Sequence, residues 1–122
     1  MNMKIAITSS GKDLNSEVDP RFGRAGFFIV YDTDNDNFSV IDNDQNLNAR
    51  QGAGVQAGQI IVNSGASALL TGNCGPKAFN VLSAAGIKIY LGAKGTIQDT
   101  ITSFKADELI PADTPNKEGH WM

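Results

Sequence analysis

Two hydrophobic patterns follow one another along the chain, and their order restricts the folds that it can adopt. Three short runs near the start are typical of strands, because they alternate or are rich in aromatic and β-branched residues: Met3–Thr8, Phe27–Tyr31 and Phe38–Ile41. The polar sequence DTDNDN separates the second run from the third and predicts the turn of an antiparallel hairpin. The first part of the chain is therefore predicted to be β-structure.

Helical spacing replaces this pattern after residue 50. The first predicted helix ends at Gly65, and one face carries Ala53, Ala57, Ile60, Ile61 and Ser64. Pro76 is placed to open a second helix, which Gly86 closes. Thr96 and Asp99 form a capping pattern at the start of a third helix.

Two short apolar runs, Ala68–Thr71 and Ile87–Leu91, separate these helices and bring the number of predicted strands to five. The order βββαβαβα fits right-handed crossovers between parallel strands. We predict an α/β fold, in which a single domain has a mixed five-stranded sheet flanked by three helices. We assign residues 1–109 to this domain and residues 110–122 to a flexible C-terminal tail.

Charge and composition argue against several classes of partner. The net charge of −3 disfavours nucleic acid, whose binding needs a basic field. No segment approaches the roughly 18 apolar residues of a membrane span, and the N-terminal apolar run is interpreted as a strand rather than an export signal. The single cysteine excludes an internal disulfide. We expect a cytoplasmic protein.

Nine of the 13 glycines gather where predicted strands end and helices begin, in SSG (9–11), FGRAG (22–26), QGAG (51–54), TGNCGP (71–76) and GAKG (92–95). Ligands of open α/β sheets bind at such places, where backbone N–H groups and helix N-termini are accessible. Arg21, Arg24 and Lys77 lie in or beside these clusters, which indicates an anion site. The alternative, more common in an arbitrary protein, is that the glycines serve turns and the arginines pair with Asp13, Glu17 or Asp19.

Five segments in one order resemble a known family: DPRFGRA (19–25), GAG (52–54), TGNCGPKAF (71–79), AAGIKIYLG (84–92) and GTIQDTI (95–101). Together they resemble the dinitrogenase iron–molybdenum cofactor biosynthesis family, which includes NifX-like carriers and the small orange proteins that hold a molybdenum–copper sulfide cluster. The resemblance runs from Met3 to Leu109. It implies a ribonuclease H-like fold that binds, stores or carries an anionic metal–sulfur cluster, of the molybdenum–copper–sulfide or the iron–molybdenum/iron–sulfur type.

The matching positions imply the residues that bind the cluster. They are Arg21, Phe22, Gly23 and Arg24 in the signature loop, Gly52, Ala53 and Gly54 at one helix start, and Gly72, Asn73, Cys74, Gly75 and Lys77 at the next. Such a cluster spreads negative charge over its sulfides, so guanidinium and N–H groups could hold it non-covalently by charge-assisted hydrogen bonds. The resemblance also implies cofactor-assembly or regulatory proteins as partners.

Cys74 and His120 are candidate metal ligands. A thiolate at a helix start binds soft metals, but a free cysteine is often a small buried residue, and we favour packing. His120, the only histidine, lies in the tail. One Cys and one His do not fill a four-ligand zinc site, so we favour a solvated residue. The neighbouring Trp121 is a candidate lid over the cleft.

Catalysis is not expected. Two-metal nucleases of ribonuclease H-like fold carry a carboxylate on the first strand, whereas the run MKIAIT has no acidic residue. Neither a G-x-S-x-G elbow nor a Walker loop occurs. We predict a non-catalytic cluster-binding protein, and the alternative is a cofactor-free interaction or regulatory module.

Overall fold

The computed structural model describes residues 3–44 and 52–115, which form five strands and three helices. In chain order these are β1 (Lys4–Ser9), β2 (Phe27–Asp32), β3 (Phe38–Asp42), α1 (Ala53–Ser64), β4 (Ala68–Leu70), α2 (Pro76–Ala84), β5 (Lys88–Tyr90) and α3 (Ile97–Lys105). The predicted order βββαβαβα is confirmed, with boundaries that differ from the predicted ones by one or two residues.

The strands form one mixed sheet in the order β3-β2-β1-β4-β5. The central strand β1 is antiparallel to β2 and parallel to β4, and β4 is parallel to β5. The carboxyl ends of β1, β4 and β5 therefore meet at one end of the sheet, as predicted for the glycine loops. This strand order is compatible with a ribonuclease H-like topology, which stays a prediction.

Alternate side chains of β1 face two separate apolar cores. Ala6 belongs to the core that α1 and α2 cover, whereas Ile5 and Ile7 belong to the core under α3. All three side chains are fully buried. Burying an apolar side chain of this size contributes about 1.5–3 kcal/mol, and a carboxylate between two such cores would cost more than that. The lack of acidic residues on β1 thus has a structural reason.

The helix boundaries have the local causes that the sequence predicted. Gly65 follows α1 with φ 83°, and Pro76 is the first residue of α2. At the start of α3 the Asp99 N–H donates to the Thr96 hydroxyl at 3.0 Å, and the Thr96 N–H donates to the Asp99 carboxylate at 3.3 Å. The predicted capping box is therefore confirmed.

After α3 the chain returns to the sheet. Pro111 forms a bridge with Tyr90, and the Ala112 N–H donates to the Ile89 carbonyl at 2.7 Å. The domain boundary at residue 109 stays a prediction, and His120 and Trp121 lie outside the described residues. Across residues 3–44 and 52–115, no helix has the length and apolar character needed to cross a bilayer.

Candidate functional site

The signature loop lies against the loop that follows β4. The Phe22 N–H donates to the Asn73 carbonyl at 3.2 Å, and the Asn73 N–H donates to the Pro20 carbonyl at 2.7 Å. The Asn73 side-chain amide donates to the same Pro20 carbonyl at 3.1 Å. These bonds form a short parallel bridge between Arg21 and Asn73. Two of the three predicted site segments are therefore in direct contact.

Two glycines allow the close approach of these segments. A Cβ on Gly23 would lie 3.0 Å from both the nitrogen and the Cα of Gly54, at the start of α1. A Cβ on Gly72 would lie 2.8 Å from the Cα of Pro20. The Gly72 distance is shorter than real Cβ atoms show, and the Gly23 distance is tighter than nearly all real Cβ contacts, so the backbone packing favours glycine at both positions. The third predicted segment, residues 52–54, thereby joins the other two.

Two buried side chains, Asn43 and Phe22, hold the signature loop in place from the interior of the protein. The amide of Asn43, a residue that follows β3, donates to the carbonyls of Gly23 at 3.2 Å and of Ala25 at 2.8 Å. The Phe22 ring is in the core, 5.6 Å from the ring of Phe28. Asn43 was missed from the sequence, where its only signal is a polar residue directly after a strand. With Phe22 turned inward, the loop is anchored and Arg21 is directed to solvent.

The helices α1 and α2 begin side by side at this site. Gly52 and Gly75 occupy their N-cap positions, with no side-chain cap from the described residues and no acidic residue in either first turn. A Cβ on Gly54 would lie 3.4 Å from the Ala78 Cβ, which is ordinary contact. The first-turn N–H groups carry partial positive charge, and two helices present them together. The third helix, α3, differs because its capping box uses these groups internally.

Three cationic side chains belong to the same segments. The Arg21 side chain is 62% exposed, and its Nε lies 3.4 Å from the carboxylate of buried Asp19. This is one of the ion pairs of the alternative interpretation. Arg24 is half-buried. Lys77, the second residue of α2, is exposed and makes no ion pair or side-chain hydrogen bond within the described part of the chain. A cation there opposes the helix dipole, a cost that a bound anion would offset.

Cys74 is buried among apolar side chains, with 1% of its surface exposed. Its thiol donates to the Gly75 carbonyl at 3.7 Å, and burial raises its pKa to about 12. Metal ligation needs the thiolate, so these observations favour the packing interpretation. Within residues 3–44 and 52–115, no group of three or more His, Cys, Asp or Glu side chains could hold a metal ion. The donor set suits hydrogen bonding to an anion better than coordination of a metal.

Comparisons with known proteins identify a family. A family model described as "Dinitrogenase iron-molybdenum cofactor" matches residues 3–107. An uncharacterised protein of Methanocaldococcus jannaschii is 31% identical over 110 residues, which cover 88% of this chain and 89% of that protein.

Two solved structures are similar over nearly the whole chain. The apo form of the orange protein from Desulfovibrio gigas has a TM-score of 0.92 and 40% identity, covering 94% of this chain and 97% of that one. A candidate NifB protein from Thermotoga has a TM-score of 0.83 and 39% identity, covering 96% and 99%. The resemblance drawn from the sequence motifs is confirmed.

Proposed function

Because the chain belongs to the dinitrogenase iron–molybdenum cofactor family, we propose that it binds an anionic metal–sulfur cluster and carries or stores it without catalysis. The observation that supports the proposal most strongly is that the arginine loop, residues 21–24, contacts the region where α1 and α2 begin without side-chain caps from the described residues. Each supplies positive charge or N–H donors to the same end of the sheet, the position at which α/β folds bind ligands. The description of the orange protein structure as an apo form also supports a ligand in this family.

The binding mode that we propose is non-covalent. The sulfides of the cluster accept hydrogen bonds from three sources: the guanidinium groups of Arg21 and Arg24, the Lys77 ammonium, and the N–H groups in the first turns of α1 and α2. Cys74 packs beneath them as a neutral thiol, since burial raises its pKa. The cargo is of the molybdenum–copper–sulfide type or the iron–molybdenum/iron–sulfur type, and a cofactor-assembly protein supplies or receives it. The bound cluster contributes its own visible absorption, which makes loading measurable.

Loading of the ligand-free protein tests the proposal. Tetrathiomolybdate with copper, and separately an iron–sulfur precursor, are added anaerobically, and absorption that remains with the protein after gel filtration is measured. We expect retained colour in one of these experiments, with stoichiometric metal by elemental analysis. Protein that stays colourless with both, and after metal-replete anaerobic expression, would favour the cofactor-free interaction module instead.

Charge-matched variants then locate the site. We expect Arg21→Ala with Arg24→Ala to weaken binding by about tenfold or more, because charge-assisted hydrogen bonds are lost. The control is Lys4→Ala with Lys88→Ala, which removes the same charge at the starts of β1 and β5, the other end of the sheet. Equal binding by both double variants would contradict the proposed site and leave binding itself standing.

A further inference from the structure

The outer strand of the sheet, β3, presents backbone groups that no described residue uses. The Asn43 N–H donates to the Gly26 carbonyl, and the Asp32 N–H donates to the Asn37 carbonyl. Hydrogen-bonded pairs alternate with non-bonded pairs in an antiparallel ladder. Given the register of β2 and β3, the N–H and C=O groups of Phe38, Val40 and Asp42 therefore point away from the sheet.

This edge lacks most of the features that discourage strand pairing. Natural edge strands commonly carry Lys, Pro or a bulge. The strand FSVID has neither Lys nor Pro, and its register with β2 runs without interruption from Phe38 to Asp42. The Phe38 side chain is 40% exposed. Asp42 is the only charged residue within the strand, so an added strand meets little resistance from the edge itself.

An open cavity of about 290 Å³ lies beside the same strand and apart from the glycine loops. Its lining includes Lys4, Val30, Asp32, Phe38 and Ile41. Val30 and Ile41 supply apolar surface. A strand paired with β3 would direct alternate side chains toward this face of the sheet, so the cavity is positioned to receive one of them.

The charge around the edge selects the partner. Residues 32–44 (DTDNDNFSVIDND) contain only acidic charges, all of them Asp. Asp36 is neutralised by Lys105, whose ammonium lies 2.7 Å from its carboxylate. Asp42 and Asp44 lie close enough that Asp42 raises the pKa of Asp44. Lys12 acts on Asp44 in the opposite direction, and Lys4 is opposite Asp32 in the register of β1 and β2. With Lys105, these three lysines leave the five aspartates of residues 32–44 in excess, so a cationic partner would be stabilised here.

A second copy of this chain fits less well. Self-pairing would bring a second set of the aspartates of residues 32–44 alongside the first, and like charges brought together across a strand pair are destabilising. We propose that the outer edge of β3 docks an extended basic segment of a partner protein, which adds a strand to the sheet and seats an apolar side chain in the adjacent cavity. This docking does not depend on the cluster site.

A short blocked peptide in which lysine and valine alternate serves as the probe. We expect it to bind the full chain in fluorescence anisotropy and to shift the amide NMR signals of Phe38, Val40 and Asp42. The same peptide with glutamate in place of lysine is the control and is expected to bind at least about tenfold more weakly. Equal binding of the two peptides, or no binding of the lysine peptide, would overturn the proposal.

Two sets of variants separate backbone pairing from charge. Val40→Pro removes one outward N–H without breaking a bond to β2 and is expected to abolish binding, whereas Val40→Thr retains it. Asp42→Lys is expected to weaken binding of the lysine peptide. Asp113→Lys is the charge-matched control, since residue 113 follows Ala112, whose N–H bonds to β5 at the opposite edge of the sheet. Unchanged binding in Val40→Pro would refute the pairing. If the protein forms dimers in sedimentation and Val40→Pro abolishes them, a second copy of the chain is the occupant of the edge, and the proposal of a basic partner segment is refuted.

Discussion

Gly23 and Gly54 pack backbone against backbone, so closely that a Cβ on Gly23 would lie 3.0 Å from the Gly54 backbone. This contact holds the arginine loop against the start of α1, so the conformation of the loop depends on a helix that lies later in the chain. Asn43 supports the loop through two carbonyls at the same place. The loop is therefore positioned by tertiary contacts rather than by its own sequence.

Gly23→Ala is expected to destabilise the protein by about 1–3 kcal/mol, the usual cost of an overpacked contact. A Cβ there must displace the Gly54 backbone, which has no flexible end to move. The control is Gly26→Ala, whose Cβ would lie 3.7 Å from the nearest atom, the Ser9 carbonyl oxygen. Urea denaturation measures both free energies of unfolding. Equal stability of the two variants would contradict the close contact.

Gly75 has φ −77° and ψ 170°, nearly the angles of Thr96, which caps α3 with φ −84° and ψ 163°. Gly75→Ser and Gly75→Asp should therefore cap α2 and stabilise the protein by up to about 1 kcal/mol, Asp more than Ser because of the helix dipole. The same changes should weaken cluster binding, again Asp more than Ser. Thermal unfolding and the loading experiment give the two readouts. If Gly75→Asp leaves cluster loading unchanged, the start of α2 is not part of the cluster site.

Cys74 is expected to make stability fall at high pH. Burial raises its pKa to about 12, whereas the unfolded thiol loses its proton above a pH of about 8.5. Between those values the unfolded state binds fewer protons than the folded state, so stability declines by up to about 1.4 kcal/mol per pH unit. Cys74→Ala should have a smaller decline, since only the other titrating groups remain. Identical pH dependence of the two proteins would contradict the buried thiol.

Asp36 joins the β2–β3 turn to the end of α3, because its carboxylate accepts hydrogen bonds from Lys105 and from the Tyr31 hydroxyl. Burial and the Asp36 hydrogen bond raise the pKa of Tyr31, while Lys105 opposes them. Asp36→Asn should lower the pKa of Tyr31 relative to the unchanged protein, as followed by phenolate absorbance. Asn also tolerates the left-handed conformation of residue 36, at φ 62°, so the change isolates the charge.

Asp36→Asn should also change how the free energy of unfolding depends on pH in acid. Lys105 lowers the pKa of Asp36 below its ordinary 3.8, so the stabilisation by this carboxylate is present above that pH and is lost as the pH falls through the lowered pKa. The stability difference between the protein and Asp36→Asn should therefore shrink in acid. A difference that stays constant with pH would contradict the ion pair.

Hydrophobic periodicity, together with the glycine, proline and capping residues at helix ends, was enough to predict the helices and strands. Three short-range signals each determine a local structure: the helical stripe of α1, Pro76 at the first position of α2 and the Thr96 capping pattern of α3. Signals of this kind can be read from the sequence alone. Strand ends were less accurate, since β4 and β5 are three residues each and their limits depend on pairing partners.

The candidate site could be predicted only in part from the sequence. Clustered glycines indicated which segments meet, but a glycine required by a neighbouring backbone has the same sequence signal as one that admits a ligand. Gly23 and Gly72 have the first cause, whereas Gly75 has open space around it. The Asn43 bonds, the Arg21–Asp19 pair and the cavity beside β3 arise from contacts between distant segments, which no local pattern encodes.

The interlocking of Pro20 with Gly72 and of Gly23 with Gly54 has a consequence for assembly. No piece of the chain shorter than residues 20–72 contains both contacts, and that piece spans the hairpin, the first helix and the strand after it. A nascent or truncated chain that ends before β4 has the arginines but lacks the contacts that Gly72 and Asn73 make with the loop. The proposed cluster site should therefore be complete only once β4 has paired with β1.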